Sequence, residues 1–367
     1  MKQTIAELRK LENDYWDLVS DLDTFEYIQP LNVSEEKDQF FKALSQQQKY
    51  NPQFTYKDIS FDLKATEKSL LAIKSRLKQI DHPLIGLYNQ YVKEDLAFLD
   101  HVKDRTAASF QHWLSRLYGF PNESQVKAAL GILESVDISE SKQTEYTIDP
   151  FFMESTILKK LETYQIRDWQ VSLEESAAKV SVNPVIKKIK IKKDTLFHQN
   201  DIQRLLLHEI GVHVLRTENG SKQEYLLFSK GFPNYLQTEE GIAIWAEKEN
   251  GLLSDVVLTK YCCRLIAAHY CRAQGFFDIF QKVTPYLNDD DCFDLVVRLK
   301  RGLVDTSKSG GFTKDQIYLR GLWDIEKLDR QSVKKLFVGK VGVQHIELIE
   351  QLDTNMDITY PEWLNKI

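Results

Sequence analysis

The sequence predicts an α+β fold that is predominantly α-helical, and three observations carry that prediction. Apolar residues recur at steps of three and four through most of the chain up to Val136. Between Tyr164 and Phe197 they alternate with polar ones, and from Asp201 the helical spacing returns and holds nearly to the end. The expected organisation is an N-terminal helical region over 1–145, then a region over 146–367 in which a small β-sheet lies beside later helices.

Taken in order, Ile5, Leu8, Leu11, Tyr15, Leu18 and Leu22 form the stripe of an amphipathic helix over residues 1–25. From Asn32 to Tyr56 the pattern is broken and polar, and NPQFTY sets a proline before aromatics, so an extended connection is expected. LKATEKSLLAIKSRLKQI, PLIGLYNQYVKEDLAFLDHVK and SQVKAALGILESV then read as helices, punctuated by Asp81-His82-Pro83 and Gly119-Phe120-Pro121-Asn122. His82, His101 and His112 lie among them with no neighbouring ligand set and read as ordinary surface or core residues. WQVSLEE, AAKVSV and VIKKIKIKKDTLF alternate as half-buried strands do. Beyond Asp201, loops are expected at Glu218–Gln223, Ser229–Gln237 and Ser307–Gly311.

A length of 367 residues suits about two domains at roughly 100–200 residues each. Hydrophobic residues at 43% and charged ones at 28% exclude collagen-like and wholly disordered classes. With 48 Lys+Arg against 54 Asp+Glu, the net charge of −6 recruits neither nucleic acid nor an anionic membrane. The lysines of Lys187–Lys193 alternate with isoleucine and read as the solvated face of a strand. Three of the 4 cysteines, Cys262, Cys263 and Cys271, share one helical segment, which is no disulfide framework; reduced thiols are expected. A metal cluster of these three with His269 lacks the opposed CxxC pairs such sites use. The N-terminus carries charges every few residues, unlike a signal peptide, and no window reaches the ~18 uninterrupted apolar residues of a membrane span. A soluble, cytoplasmic protein is expected.

The chemistry-bearing stretch is DIQRLLLHEIGVHVLRTENG, where an apolar run delivers His208, Glu209 and, five positions after the first histidine, His213. Two neutral imidazoles and a carboxylate make a tetrahedral zinc site with one position left for water, and a glutamate beside the first ligand can take that water's proton. Helical zinc motifs usually space their histidines by four. At about 100° per residue, a spacing of five separates the side chains by roughly 140°. A π-bulge would absorb the extra residue, and Gly211 gives the backbone latitude for one.

A second feature follows a short loop later, where TEEGIA opens an apolar helix. Locally, Thr238 is a good N-cap and acids suit a first helical turn. The same place could bring a carboxylate against a metal, and Glu240, which precedes Gly241, is preferred to Glu239 for that role.

HEIGVHVLR, TEEGIA, RLKRGLVDT and GGFTKDQIYLRG, occurring in that order, resemble the family of metallo-tyrosine carboxypeptidases. That family includes enzymes that remove the C-terminal tyrosine of α-tubulin, and bacterial relatives labelled flavohaemoglobin-expression-modulating proteins with a QEGLA motif. The similarity extends from about Asn51 to about Gly321. It implies one zinc ion held by His208, His213 and Glu240, with Glu209 as catalytic base and acid, in a zincin-like metallopeptidase core. Two departures stand out: Val212 occupies a position where members often carry Thr, and EEGIA replaces QEGLA.

A carboxypeptidase also needs a cation for the terminal carboxylate and a donor for the tetrahedral oxyanion. Lys314 and Tyr318, four apart in FTKDQIYLRG, would share a helical face and fill those roles; Arg298 and Arg301 are rival anchors. Arg216, three residues after His213, would brace the metal helix or pair with an acid, and Glu239 would support the site without ligating. The expected activity is release of a C-terminal tyrosine or other aromatic residue from a peptide or protein by metal-activated water. The rival expectations are a non-catalytic metal-binding regulator, against which an intact Glu209 weighs, and a zinc hydrolase of a non-peptide amide.

Overall fold

A computed structural model describes residues 2–20, 22, 24–136, 147–176, 178–352, 354–355 and 357–365. Its helices are α1 (Lys2–Val19), α2 (Thr24–Ile28), α3 (Val33–Ser45), α4 (Leu63–Leu77), α5 (Ile85–Asp104), α6 (Ala107–Leu117), α7 (Glu123–Ser135) and α8 (Pro150–Thr163). Strands β1 (Gln170–Glu174), β2 (Val180–Asn183) and β3 (Lys188–Lys192) follow. Then come α9 (Gln199–Leu205), α10 (Leu215–Ser221), α11 (Leu227–Lys230), α12 (Tyr235–Glu249), α13 (Asp255–Tyr270), α14 (Phe276–Val283) and α15 (Asp289–Lys300). The last are α16 (Ile317–Ile325), α17 (Arg330–Lys335), α18 (Ile346–Glu350) and α19 (Glu362–Asn365). The α-rich α+β expectation holds.

Two compact units form, and neither is continuous in sequence: Met1–Val136 with Thr259–Gln316, and Asp137–Leu258 with Ile317–Ile367. The expected boundary at 145/146 lies outside the described residues. The expected unbroken region over 146–367 is interrupted, because Thr259–Gln316 turns the apolar faces of α14 and α15 onto the first unit. There Phe276, Phe280 and Phe293 surround Phe40, with ring centroids 5.3, 4.8 and 5.2 Å away.

That packing also corrects the reading of 32–56. Residues 33–45 are helical, not extended, because Val33, Phe40, Phe41 and Leu44 make a short apolar stripe that this core buries. The extended stretch is shorter and begins near Gln53, which bridges to Asp305. Elsewhere in the unit the stripes fold as read: Leu8, Leu11 and Tyr15 of α1 and Leu70, Ile73 and Leu77 of α4 are buried. Asp62 caps α4 by accepting from the Lys64 and Ala65 amides, each at 3.0 Å.

In the second unit the strands form a sheet of order β1-β3-β2, with β1 parallel and β2 antiparallel to β3. Side chains alternate across a strand, so Ile189 and Ile191 turn inward while Lys188, Lys190 and Lys192 stay at least partly in water. The inward face packs on Met153, Ile157 and Leu161 of α8 and on Ile210 and Val214. The sheet thereby supports the segment that carries both histidines. On the far side, α12 crosses α16 at a pair of glycines. A Cβ on Gly241 would sit 2.3 Å from the carbonyl carbon and oxygen of Gly321, both backbone atoms that cannot swing away. Gly241→Ala is therefore expected to lower unfolding free energy by about 1–3 kcal/mol or more, read as a lower urea midpoint at unchanged slope.

The four cysteines are buried and free. Burial pushes the Cys262 and Cys271 thiols up to about 12, so they remain protonated. Among the described residues they join no metal-ligand cluster, and no helix is long and apolar enough to cross a membrane.

Candidate metal centre

Between α9 and α10 the chain runs without a break through Leu206–Val214, and this segment is π-helical. A π-turn closes on the fifth residue rather than the fourth, so a spacing of five returns His213 to the face of His208. The irregularity demanded by HEIGVH is present. The rings meet edge to face, centroids 5.0 Å apart. Gly211 contributes space rather than an unusual dihedral: a Cβ there would lie 3.3 Å from the Trp363 indole nitrogen.

The third donor comes from α12. This helix begins at Tyr235, so Thr238 is no N-cap; its hydroxyl lies inside the helix and accepts from the Val343 amide at 2.9 Å. Glu239 and Glu240 consequently sit in the second turn, and being neighbours they point about 100° apart. Glu240 Oε2 faces Nε2 of both histidines, 3.5 Å from His208 and 3.9 Å from His213. Glu239 Oε1 instead lies 2.8 Å from His213 Nδ1. The space beside Gly241 is taken by Gly321, so that glycine serves the helix crossing and not the approach of Glu240 to the imidazoles.

His208 has a carboxylate behind it as well. Glu247, two turns beyond Glu240 on α12, places Oε1 2.7 Å from His208 Nδ1, and Arg204 donates to the same oxygen at 3.2 Å. Each imidazole thus presents Nδ1–H to a carboxylate and turns Nε2 toward Glu240, the tautomer that leaves a lone pair for a cation. Behind Glu239 stand two buried cations: Arg216 Nη1 at 3.3 Å and Lys340 Nζ at 3.0 Å. Arg216 is fully buried and also donates to the carbonyls of Leu336 and Val341. Glu247 and Lys340 escaped the sequence reading. A signal existed for Glu247, an acid seven positions after Glu240 in an apolar helix; Lys340 is the lone charge in the apolar run LFVGKVGV.

Burial alone would raise Glu239, but Lys340, His213 and Arg216 hold it well below the usual carboxylate range. Burial would lower His208, yet Glu240 and Glu247 outweigh it and keep the imidazole well above its ordinary value, so an entering cation takes the place of a proton. Glu209 is raised, chiefly by burial and also by the charge of Glu240, against the lowering pull of both histidines. Among the described residues none donates a hydrogen bond to its carboxylate.

The donor atoms of His208, His213 and Glu240 lie within 4.8 Å of one another. Tetrahedral zinc with bonds near 2.0–2.1 Å spaces its ligand atoms about 3.3 Å apart, so the two short separations need little adjustment. Two nitrogens and one oxygen, with both Nδ1 positions engaged, fit zinc better than calcium or magnesium, which favour all-oxygen sets.

Residues 38–367 match the sequence profile of the family described as microtubule-associated tyrosine carboxypeptidase. The chain belongs to that family. Microtubule-associated tyrosine carboxypeptidase 1 of Rattus norvegicus is 32% identical over 160 residues, covering 41% of this chain and 33% of its own length. The Mus musculus protein of the same name is 31% identical over 159 residues, with the same two shares of 41% and 33%. The chain thus spans about a third of the length of the curated relatives it matches. The family match begins before Asn51 and runs beyond Gly321, the limits read from motifs alone.

Of the residues considered for substrate binding in this family member, Tyr318 lies half-buried on α16, in the same unit as the donor triad. Arg298, Arg301 and Lys314 belong to the first unit. Arg298 makes a two-pronged pair with Asp315, at 2.7 and 3.1 Å. Arg301 is buried, its guanidinium 4.5 Å from the centre of the Phe312 ring, and Lys314 Nζ lies 4.8 Å from that of Phe25. The single helix expected to carry Lys314 and Tyr318 is not formed: Lys314 stands in a 3₁₀ turn, Thr313–Gln316, ahead of α16.

Proposed function

We propose that the chain is a zinc-dependent peptidase with a zincin-like core, cytoplasmic, acting as a carboxypeptidase that releases a C-terminal tyrosine or other aromatic residue from a peptide or protein. The observation that carries this reading is the convergence of His208, His213 and Glu240 with Glu209 beside them, a carboxylate that is not one of the three donors. Membership of a family named for tyrosine carboxypeptidases supports the exopeptidase form.

Zinc held by His208, His213 and Glu240 would supply Lewis acidity to the scissile carbonyl and the attacking water. Glu209 accepts the proton that water loses and returns it to the nitrogen of the departing amino acid, for which its raised affinity for protons suits it. Glu239 and Glu247 hold the imidazoles in the required tautomer. Tyr318, on α16 in the same unit as the three donors, is the candidate donor to the oxyanion.

Digestion of a peptide library with varied C-termini, read by mass spectrometry, tests the proposal. Loss of one residue from peptides ending in Tyr, ahead of those ending in charged residues, is the expected result. Internal cuts would make the protein an endopeptidase, and no cleavage by zinc-loaded protein would favour a non-catalytic metal-binding role.

A further inference from the structure

We propose that Lys340 is a positioning residue for His213, acting through Glu239; this rests on the metal reading above. The carboxylate of Glu239 is almost wholly buried and clamped at both oxygens. Oε1 takes His213 Nδ1 at 2.8 Å and Lys340 Nζ at 3.0 Å, and Oε2 takes Arg216 at 3.3 Å. Remove the lysine and Oε1 keeps only the imidazole it is meant to orient. The carboxylate plane is then free to rotate about its remaining contact with Arg216, and the direction of His213 Nε2 rotates with it.

The lysine itself has little freedom. Its residue is 2% exposed, and its backbone is tied on both sides, the amide donating to Phe228 O at 2.7 Å and the carbonyl accepting from Phe232 at 2.8 Å. Gly339 allows this approach, since a Cβ there would meet Phe228 O at 2.6 Å. The same segment accepts from Arg216 at Leu336 and Val341, and from Asn219 at Phe337. A backbone held at so many points delivers the ammonium to one place. The His208 brace is built otherwise: Glu247 Oε1 takes both His208 and Arg204, its Oε2 is buried with no hydrogen bond among the described residues, and Arg204 is itself partly exposed. The lysine therefore makes His213 the more firmly aimed of the two imidazoles.

The test is zinc affinity of the full chain, measured by competition with a chromogenic chelator, for Lys340→Met, Glu239→Gln and the double variant. Each single change is expected to weaken zinc about 10–100-fold. Because the lysine acts through Glu239, the double variant should match Glu239→Gln within about twofold, the ordinary scatter of additive effects. Unchanged affinity in Lys340→Met, even with a lower melting temperature, would reduce the lysine to a structural role and overturn the inference. So would a double variant whose loss is the product of the two single losses. Should Lys340→Met fail to fold, Lys340→Gln, which fills similar space without the charge, takes its place in the same comparison. His213→Ala separates this inference from its premise: a native protein that takes up zinc regardless of His213 sinks the metal reading itself, whereas zinc that needs His213 but not Lys340 sinks only the present inference.

Discussion

Glu209→Gln should remove nearly all hydrolysis while leaving zinc and fold in place. Glutamine matches glutamate in size but cannot accept a proton, and loss of general acid–base catalysis typically costs about 10²–10⁴ in rate. The effect should stay confined to turnover, because Glu209 is not among the three converging donors and none of the described residues hydrogen-bonds its carboxylate. Release of tyrosine from a short peptide, zinc per chain by elemental analysis and a thermal melt, made on one preparation, check all three statements. Full turnover by the Gln variant would hand the base role to another residue.

The largest change in metal content should come from His208→Ala, His213→Ala and Glu240→Ala, each expected to drop bound zinc from about one equivalent to near none after dialysis. Three protein donors are the usual complement of a catalytic site, so none is redundant. Glu239→Gln provides the contrast. It keeps the shape of the brace and removes its charge, so zinc should still bind at saturating concentration, only more weakly. If instead Glu240→Ala retained zinc and Glu239→Gln lost it entirely, the third ligand would have to be reassigned to Glu239.

Much of this was legible because local signals were strong. The stripes of α1, α4 and α5 needed no context, and the alternation of KIKIK identified β3 and its buried face. HEIGVH announced its own irregularity, because five residues cannot close one α-helical turn. What stayed hidden depended on distant partners. Residues 33–45 look polar until Phe276, Phe280 and Phe293 arrive to bury Phe40, and no local pattern shows that Thr259–Gln316 belongs with the first unit. Thr238 resembled a cap because Pro233 and Asn234 read as loop; the helix gains an earlier turn from Tyr235, whose ring lies against Lys340. Gly241 stands next to a candidate ligand in sequence, yet its close neighbour is the backbone of Gly321. Glu247 was visible in spacing, whereas Lys340 acquires its meaning only from tertiary contact.

The interrupted course of the second unit bears on how such a protein comes into being on the ribosome. The pair between Glu239 and Lys340 closes across 101 residues, and the bond from Gln237 to Asp324 across 87. The helices of Met1–Val136 emerge together, but α12 must wait through all of Thr259–Gln316 before α16 and the lysine exist to receive it. At about 5–20 residues per second, that wait lasts several seconds or longer. During it the nascent chain already holds His208, Glu209, His213 and Glu240 without Lys340, which clamps the carboxylate behind His213. Full affinity for metal is thus expected near the end of synthesis, after the long-range closures that also make such topologies slow to fold.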